Sequence, residues 1–304
     1  MSQDRPSDEL INYTYYVVAI IDVLGQSEKL QSLTAIPQTP QQKEQFTKVI
    51  RDTFGAVGAL RKGFREFFEG YHDPCRRHDP GSGSLPAGTK EAVIEPGKPD
   101  LGEVYFSDMF LFYAPVYQQD GQVSVNAIYS MLTASATLMR IALAGKIAIR
   151  GGIDIGIAAE FGPGDPYGRA LCQANYLERH VAQYPRIVIG PELMQFIEDQ
   201  AGRAATDDLS KANCIMARTC KLLVQSDFDG IPFVDFLGPA MLAIAGDSKP
   251  KYQQAIRAGH SFVVGEHERF KKSALLSEHD RKLAQRYGVL RAYYEGRMWL
   301  WNNA

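Results

Sequence analysis

The sequence has little of what disulfide-built or nucleic-acid-binding proteins need. Its 304 residues include four cysteines and no Cys-x-x-Cys pair, which excludes a disulfide framework and predicts reduced thiols. The 33 Lys and Arg residues are balanced by 35 Asp and Glu residues, for a net charge of −2. Phosphate-backbone binders usually carry a basic surplus, so we expect no nucleic-acid partner.

Signals for export, membrane insertion and several common chemistries are also missing. The first ten residues are polar and acidic, unlike a signal peptide, and no apolar run is expected to cross a bilayer. We therefore expect a cytoplasmic protein with no membrane partner. The patterns of Walker-type ATPases and of serine hydrolases do not occur either, which disfavours both classes.

What is present is enough apolar material for a large folded unit. Hydrophobic residues make up 45% of the chain and aromatic residues 11%, which argues against disorder over most of its length. The length suits either two average domains or one enlarged α/β domain. We favour one domain with additions.

The N-terminal half predicts a buried strand, a long helix and a loop. Residues 15–23 (YYVVAIIDV) form a nearly continuous apolar run that ends at Asp22, typical of a strand covered on both faces. Residues 42–68 repeat apolar side chains at helical spacing. Residues 71–100 are rich in Pro, Gly and charge and predict an exposed loop. His72, Cys75 and His78 lie there, but without a fourth donor we interpret them as loop residues rather than a zinc site.

The remaining pattern predicts mixed α/β structure. Residues 103–113 (EVYFSDMFLFY) have strand character interrupted by Asp108, and residues 125–144 form an apolar-striped helix. Residues 146–158 are interpreted as two strands broken at a Gly-Gly pair. Further helices and short strands follow, and the C-terminal third is helical.

Two acids, Asp22 and Asp108, each end or interrupt an apolar run. Paired carboxylates on neighbouring strands are what two divalent ions need in a two-metal phosphoryl-transfer site. The alternative is that the two acids are satisfied by local hydrogen bonds or by an arginine, and the residues alone leave both interpretations open.

Four motifs in order resemble the catalytic domains of class III nucleotidyl cyclases: IIDVLG, YFSDMFLFY, IRGGIDIGIA and YGRALCQANYLE. With YPRIVIG added, the chain looks most like the bacterial pyrimidine cyclases of Pycsar antiphage defence. The resemblance covers residues 14–240, which implies an N-terminal tail at 1–13 and a C-terminal helical extension at 241–304. The implied fold is an α+β, ferredoxin-like βαββαβ cyclase domain, with 71–100 as an inserted loop, that pairs head to tail as a homodimer with composite active sites.

The resemblance also implies a catalytic site. Asp22 and Asp108 would hold two Mn²⁺ or Mg²⁺ ions, with the backbone carbonyl of Val23 completing the second site. Main-chain N–H groups from Leu24 to Gln26 would grip phosphate oxygens, and Gly25 would allow that close approach.

The chain departs from the purine cyclases at the transition-state positions. Cys172 and Tyr176 stand where those enzymes carry Asn and Arg. Arg169 and Asn175 on the same segment are candidate substitutes, with solvent-facing or capping roles as the alternative. Arg150 is a candidate for supporting the sheet or the phosphate end of the substrate.

The base-reading positions differ as well. Val104 replaces the polar reader of purine cyclases, and Tyr105 or Phe106 is expected to narrow the pocket for a pyrimidine. Asp165 matches a second base-contacting acid, although Asp is also common in such turns.

The implied function is that of a phosphorus–oxygen lyase, a uridylate cyclase that makes 3′,5′-cyclic UMP and pyrophosphate from UTP. The product would be a second messenger for a separate effector in antiphage defence. The alternatives are a cytidylate cyclase making cyclic CMP and an inactive cyclase-fold nucleotide sensor. A diguanylate-type cyclase is disfavoured because residues 151–154 (GGID) do not supply its hairpin motif.

Overall fold

The computed structural model describes residues 13–72, 100–117, 123–162, 164–204 and 206–303. The N-terminal tail before residue 13, Cys75, His78 and most of the predicted 71–100 insertion lie outside the described residues.

Within the described part of the chain, eight strands form one mixed sheet. Its strand order is β2-β3-β1-β4-β6-β8-β7, with β5 paired to β4. Only the β4–β6 pair is parallel among these pairings. The strands are β1 (Tyr13–Val23), β2 (Gly102–Phe106), β3 (Met109–Pro115), β4 (Ile149–Glu160), β5 (Pro166–Gly168), β6 (Ile187–Ile189), β7 (Val224–Ser226) and β8 (Pro232–Val234).

The helices connect and cover these strands, so the fold is mixed α/β. They are α1 (Gln26–Gln31), α2 (Pro40–His72), α3 (Asn126–Ala144), α4 (Arg169–Tyr176), α5 (Pro191–Gly202), α6 (Asp208–Leu222), α7 (Pro239–Ala245), α8 (Lys249–Ser273) and α9 (Glu278–Asn303). A π-helical turn, Leu177–Val181, continues α4 directly.

Strand β1 is buried on both faces, as its continuous apolar run predicts. Val17, Ala19 and Ile21 point into the large core beneath α2 and α3. Val18 and Ile20 point to the opposite face, where they pack with α4. Because side chains alternate along a strand, Asp22 belongs to the α4 face.

Helix α3 corrects the expectation that no apolar run could cross a bilayer. By length and composition alone its residues, Asn126–Ala144, would suffice, yet 89% of that stretch is buried inside the fold. The helix is enclosed by α2, α8 and the sheet, which explains why it is apolar around nearly its whole circumference.

The predicted helix at 42–68 is confirmed and extends to Pro40–His72. Its apolar stripe is buried only in the second half, where Leu60 and Phe64 enter the core. Phe46 and Phe54 remain 40% and 71% exposed, so the first half of α2 extends past the sheet.

The Gly151-Gly152 pair does not break the chain into two strands, contrary to prediction. Both glycines lie inside β4, where each pairs with β1 and β6. Neighbouring backbone lies too close for a side chain at either position, and this close approach is the physical reason for the glycines.

Asp235, which is 4% exposed, helps to dock helix α9 on the core. Its two carboxylate oxygens accept hydrogen bonds from Tyr293 and Arg297 of α9, both at 2.7 Å. The indole of Trp301 donates to the carbonyl of Leu237 at 2.9 Å. A buried carboxylate held by two donors makes α9 an integral part of the fold.

Candidate functional site

Asp22 and Asp108 lie together at one end of the sheet. Asp22 is the next-to-last residue of β1 and pairs with Met109 of β3 on one side and Arg150 of β4 on the other. The predicted single strand at 103–113 is in fact the β2–β3 hairpin, and Asp108 lies in its two-residue turn. The Val23 amide donates to the Asp108 carbonyl oxygen at 3.2 Å, which ties the turn to the end of β1.

Helix α2 supports the turn that carries Asp108. Ser107 has a φ of 55°, an uncommon conformation for a residue other than glycine. Its carbonyl oxygen accepts a hydrogen bond of 2.9 Å from Nη2 of Arg61. The same guanidinium lies 4.1 Å from the centroid of the Tyr105 ring. Arg61 therefore holds both a strand residue and the turn, which fixes where Asp108 is presented.

An arginine stands between Asp22 and a second, buried acid. Nη2 of Arg150 lies 3.4 Å from Oδ2 of Asp22, and its Nε lies 2.7 Å from Oε1 of Glu178. The side chain of Glu178 is 3% exposed, whereas those of Asp22 and Arg150 are 22% and 24% exposed. An arginine partner for Asp22 is thus present in the structure, as one of the two alternatives predicted, and a metal ion is the other.

The electrostatic environment couples these groups. Burial raises the pKa of Asp22, nearby Arg150 and Arg179 lower it, and the neighbouring charge of Asp108 raises it. Burial likewise raises the pKa of Glu178, against the opposing effect of Arg150. The effect of Asp108 on Asp22 means that the two carboxyl groups lie close enough for their charges to interact.

Small residues let α4 lie directly on β4 and bring Glu178 to this site. Ala170 and Ala174 face the sheet on successive turns of α4 and are fully buried. A Cβ atom at Gly152 would stand 2.5 Å from the Ala174 carbonyl oxygen and 2.8 Å from the Glu178 amide nitrogen. Only glycine fits there, and the π turn that follows α4 is consequently placed over the start of β4, where Arg150 lies.

The donor set at Asp22 and Asp108 fits hard divalent cations. Carboxylate and carbonyl oxygens are the ligands that Mg²⁺ and Mn²⁺ prefer, and two interacting, partly desolvated carboxylates favour a bound cation. The Val23 carbonyl belongs to the residue beside Asp22 at the end of β1. Among the described residues no cluster of three or more His, Cys, Asp or Glu side chains is arranged to hold a metal ion, so the candidate site consists of two carboxylates and a backbone carbonyl.

Of the three main-chain amides predicted to bind phosphate, one is already hydrogen-bonded within the chain. Gly25 has a φ of 77° between β1 and α1, a conformation that favours glycine. The Leu24 amide already donates to the Ala148 carbonyl oxygen at 2.9 Å, so it is not free for a phosphate. The Gln26 side chain is buried, at 4% exposure. Gly25 and Gln26 remain the candidate amides.

Arg169 and Asp165 lie far from Asp22 in the same chain. They flank β5, which pairs with β4 beginning at Ala158, eight residues beyond Arg150. At the rise of a strand, eight residues span about 26 Å. Arg169 is exposed and forms an ion pair of 2.5 Å with Glu192, and Asp165 closes a turn with Phe161.

Asn175, Cys172 and Tyr176 occupy the middle and end of α4. Asn175 is half-buried, and the other two are exposed on the outer side of the helix. The structure thus separates Asp165 and Arg169, at the start of α4, from Asp22, whereas Asn175 and Tyr176 lie within three residues of Glu178 at the other end of the helix.

The strand register separates the predicted base-reading residues. Val104 pairs with Leu111 and Phe106 with Met109, so both belong to the face of Asp22. Tyr105 pairs with Phe110 on the opposite face, beneath α2. Phe106, 74% exposed, is therefore placed to contact a ligand at Asp22, and Tyr105 is not.

Sequence reasoning missed Arg61, Glu178 and Arg179 as parts of this site. Glu178 lies in an ordinary helical run with nothing in its spacing to mark it. The Gly-Gly pair in β4 is the sequence feature that could have indicated this contact, because glycine in a strand often marks a place where another backbone approaches closely.

A second buried acid, Asp154 in β4, also escaped prediction. It is completely buried, and its Oδ1 accepts the amide hydrogens of Ile155 at 2.9 Å and Leu193 at 2.8 Å. Burial, reinforced by the neighbouring Glu192, raises the pKa of Asp154 to about 7. It caps the first turn of α5 from another element and lies apart from the Asp22 group.

A scan against protein-family models finds no match to the chain, and a search of curated proteins finds none either. The function is therefore inferred from the residues and their geometry.

Proposed function

We propose that the protein is a pyrimidine nucleotide cyclase that converts UTP to 3′,5′-cyclic UMP and pyrophosphate by a two-metal mechanism in the cytoplasm. The observation that carries the proposal is the juxtaposition of Asp22 and Asp108 at one end of the sheet. The cyclic nucleotide would serve as a second messenger for a separate effector in antiphage defence.

The order of elements supports this proposal. The first four strands stand in the order β2-β3-β1-β4, with α2 after β1 and α3 after β3 on the same face. This is the arrangement expected of a ferredoxin-like βαββαβ domain. The proposed cyclase fold comprises this unit, and the C-terminal helices extend it.

In the proposed mechanism, the chain positions the substrate and helps to neutralise the charge of its phosphates. Asp22, Asp108 and the Val23 carbonyl would hold two Mn²⁺ or Mg²⁺ ions, which would acidify the 3′-hydroxyl group of the substrate and neutralise charge on its triphosphate. The 3′-oxygen bonds to the α-phosphorus, the bond from that phosphorus to the bridging oxygen of pyrophosphate breaks, and the hydroxyl proton passes to solvent.

Arginines beside the acids suit the triphosphate. Arg150 is 24% exposed at the site and supplies a fixed positive charge for phosphate oxygens. Arg61 keeps the Asp108 turn in place, so that the carboxylate meets the substrate in one orientation.

The separation of Asp22 from Arg169 supports a composite site. A head-to-tail homodimer would bring the partner subunit's Arg169 toward Asp22, whereas within one chain Arg169 follows β5 and is paired with Glu192. Exposed apolar side chains on this face, among them Phe106 and Tyr176, suit such an interface.

The pocket wall favours a pyrimidine. Val104 offers no polar atom to the edge of a purine, and Phe106 adds bulk on the same face. UTP is our choice, and CTP is the related substrate that the assay must separate from it.

A nucleotide sensor without catalysis is the second candidate. It is favoured by the ion pair between Arg150 and Asp22 and by the replacement of the usual Asn and Arg by Cys172 and Tyr176. Such a protein would bind nucleotide and return it unchanged.

The test is to incubate purified protein with Mn²⁺ and each of the four NTPs and to separate the products by chromatography. Cyclic UMP from UTP is expected, and Asp22→Asn and Asp108→Asn should each lower the rate by about 10³-fold or more because each removes an ion ligand. Asp52→Asn, a change at an exposed acid of α2, is the matched control and should keep wild-type activity.

The other outcomes decide between the alternatives. Cyclic CMP would change the substrate, and intact NTPs with measurable nucleotide binding would favour the sensor. Sedimentation should give a dimer, whereas full activity from a strict monomer would contradict the composite site.

A further inference from the structure

Arg150 lies between two carboxylates that differ in exposure and in distance. Its guanidinium approaches buried Glu178 to 2.7 Å and partly exposed Asp22 to 3.4 Å. The guanidinium is therefore held mainly from the buried side, and its contact with the proposed ion ligand is the looser of the two.

Glu178 is rigidly placed. It lies in the π turn that follows α4, and its amide nitrogen would stand 2.8 Å from a Cβ atom at Gly152. Its side chain is 3% exposed and has Arg150 as an ion partner, with the charge of Arg179 nearby. A buried carboxylate in this setting keeps its counter-charge in place, because losing the partner would leave an uncompensated buried charge.

We infer that Arg150 and a divalent cation compete for Asp22, and that Glu178 is the positioning residue that sets this competition by holding Arg150 on its own side. The inference rests on the proposed function, because it requires Asp22 to be an ion ligand. Without an ion, the guanidinium neutralises Asp22. When an ion binds, Glu178 retains the guanidinium beside the site, where it faces the phosphate oxygens of the substrate.

The charges predict opposite effects of two substitutions on the affinity for the cation. Glu178→Gln removes the buried counter-charge of Arg150. The positive charge of Arg150 then interacts more strongly with Asp22 and repels an incoming cation. Arg150→Gln removes the competitor, so the affinity of Asp22 for the cation rises. A direct long-range attraction between Glu178 and the cation would act with or without Arg150, whereas competition acts only through Arg150.

The experiment measures Mn²⁺ binding to the full chain by electron paramagnetic resonance of free Mn²⁺, without nucleotide. Glu178→Gln should weaken binding about tenfold, and Arg150→Gln should tighten it several-fold. In the Arg150→Gln background, adding Glu178→Gln should change the dissociation constant less than about twofold. Glu268→Gln breaks an exposed arginine pair between α8 and α9, away from β1, and should leave Mn²⁺ binding unchanged.

The outcomes separate this inference from the proposed function. Wild-type binding that Asp22→Asn abolishes but Glu178→Gln leaves unchanged would overturn the inference alone. No Mn²⁺ binding by the wild-type chain would overturn both. If Glu178→Gln fails to fold, Arg150→Gln decides, because unchanged or weaker binding in that variant contradicts competition.

Discussion

Asp154 is a fully buried carboxyl group that the fold keeps partly protonated. Its pKa is raised by burial to about 7, whereas an unfolded aspartate titrates near 3.9. Because the folded state holds the proton more tightly, this stabilising contribution is complete below about pH 4 and is lost as the pH rises through about 7.

Asp154→Asn should remove this pH dependence. The amide keeps a carbonyl oxygen for the Leu193 N–H and offers a donor toward Glu192, as the protonated acid does. Urea unfolding at pH 5, 6, 7 and 8 should show the variant gaining stability relative to wild type as the pH rises. Comparing the two proteins at each pH cancels the other titrating groups, and parallel profiles would contradict the raised pKa.

At the residue scale, the acids that end apolar runs were predictable and their partners were not. Asp22 and Asp108 stand out because a charge inside a strand pattern requires a partner. Arg150 was a candidate for supporting the sheet or the phosphate end of the substrate, but its ion pair with Glu178 joins positions on different elements. No local pattern reports which side chains meet across that distance.

At the scale of elements, the contact between α4 and β4 decides where Glu178 lies. The glycine in β4 and the two alanines of α4 allow the two backbones to touch. A methyl group at the glycine would have to displace the helix or the strand, because the atoms that it meets are mainly backbone.

Gly152→Ala should therefore destabilise the protein by about 1–3 kcal/mol through overpacking and should also weaken Mn²⁺ binding by moving Glu178. Gly55→Ala is the matched control: a Cβ atom there meets nothing within 4 Å in helix α2, so stability should rise by about 0.5–1 kcal/mol. Urea unfolding measures both. Equal stability of the two variants would show that the close contact is not needed.

Elements whose pattern is periodic or continuous were predicted well. The strand at 15–23 and the helix at 42–68 were both found, because burial of one or both faces leaves a direct trace in the order of residues. The hairpin at 103–113 was missed because its turn, Ser107-Asp108, contains no glycine, asparagine or proline.

At the scale of the whole molecule, a buried polar network helps to hold helix α9 on the core. The Tyr293 hydroxyl donates to Asp235 at 2.7 Å and accepts the Leu237 amide hydrogen at 2.9 Å. Asp235 and Leu237 are buried after β8, and Tyr293 of α9 is partly buried against them, so the network joins the end of the sheet to the C-terminal helix.

Tyr293→Phe should lower the free energy of unfolding by about 1–3 kcal/mol, because it leaves a buried amide and a carboxylate oxygen without this partner. Tyr176→Phe changes a ring that is 57% exposed and should stay within about 0.5 kcal/mol of wild type. Both are read by urea unfolding. A Tyr293→Phe protein as stable as wild type would show that packing alone docks α9.

The order of residues by itself determined the buried strand, the long amphipathic helices, the mixed α/β class and the two acids that require partners. Each of these features follows from the spacing of apolar and charged residues within a short segment. Only the tertiary structure decided that Arg150 bridges Asp22 and Glu178, that Tyr105 and Phe106 lie on opposite faces, and that Arg169 is remote from Asp22. Strand register and the close approach of α4 to β4 set these relations. Both arise from packing between segments that are distant in the chain, where spacing along the sequence carries no information.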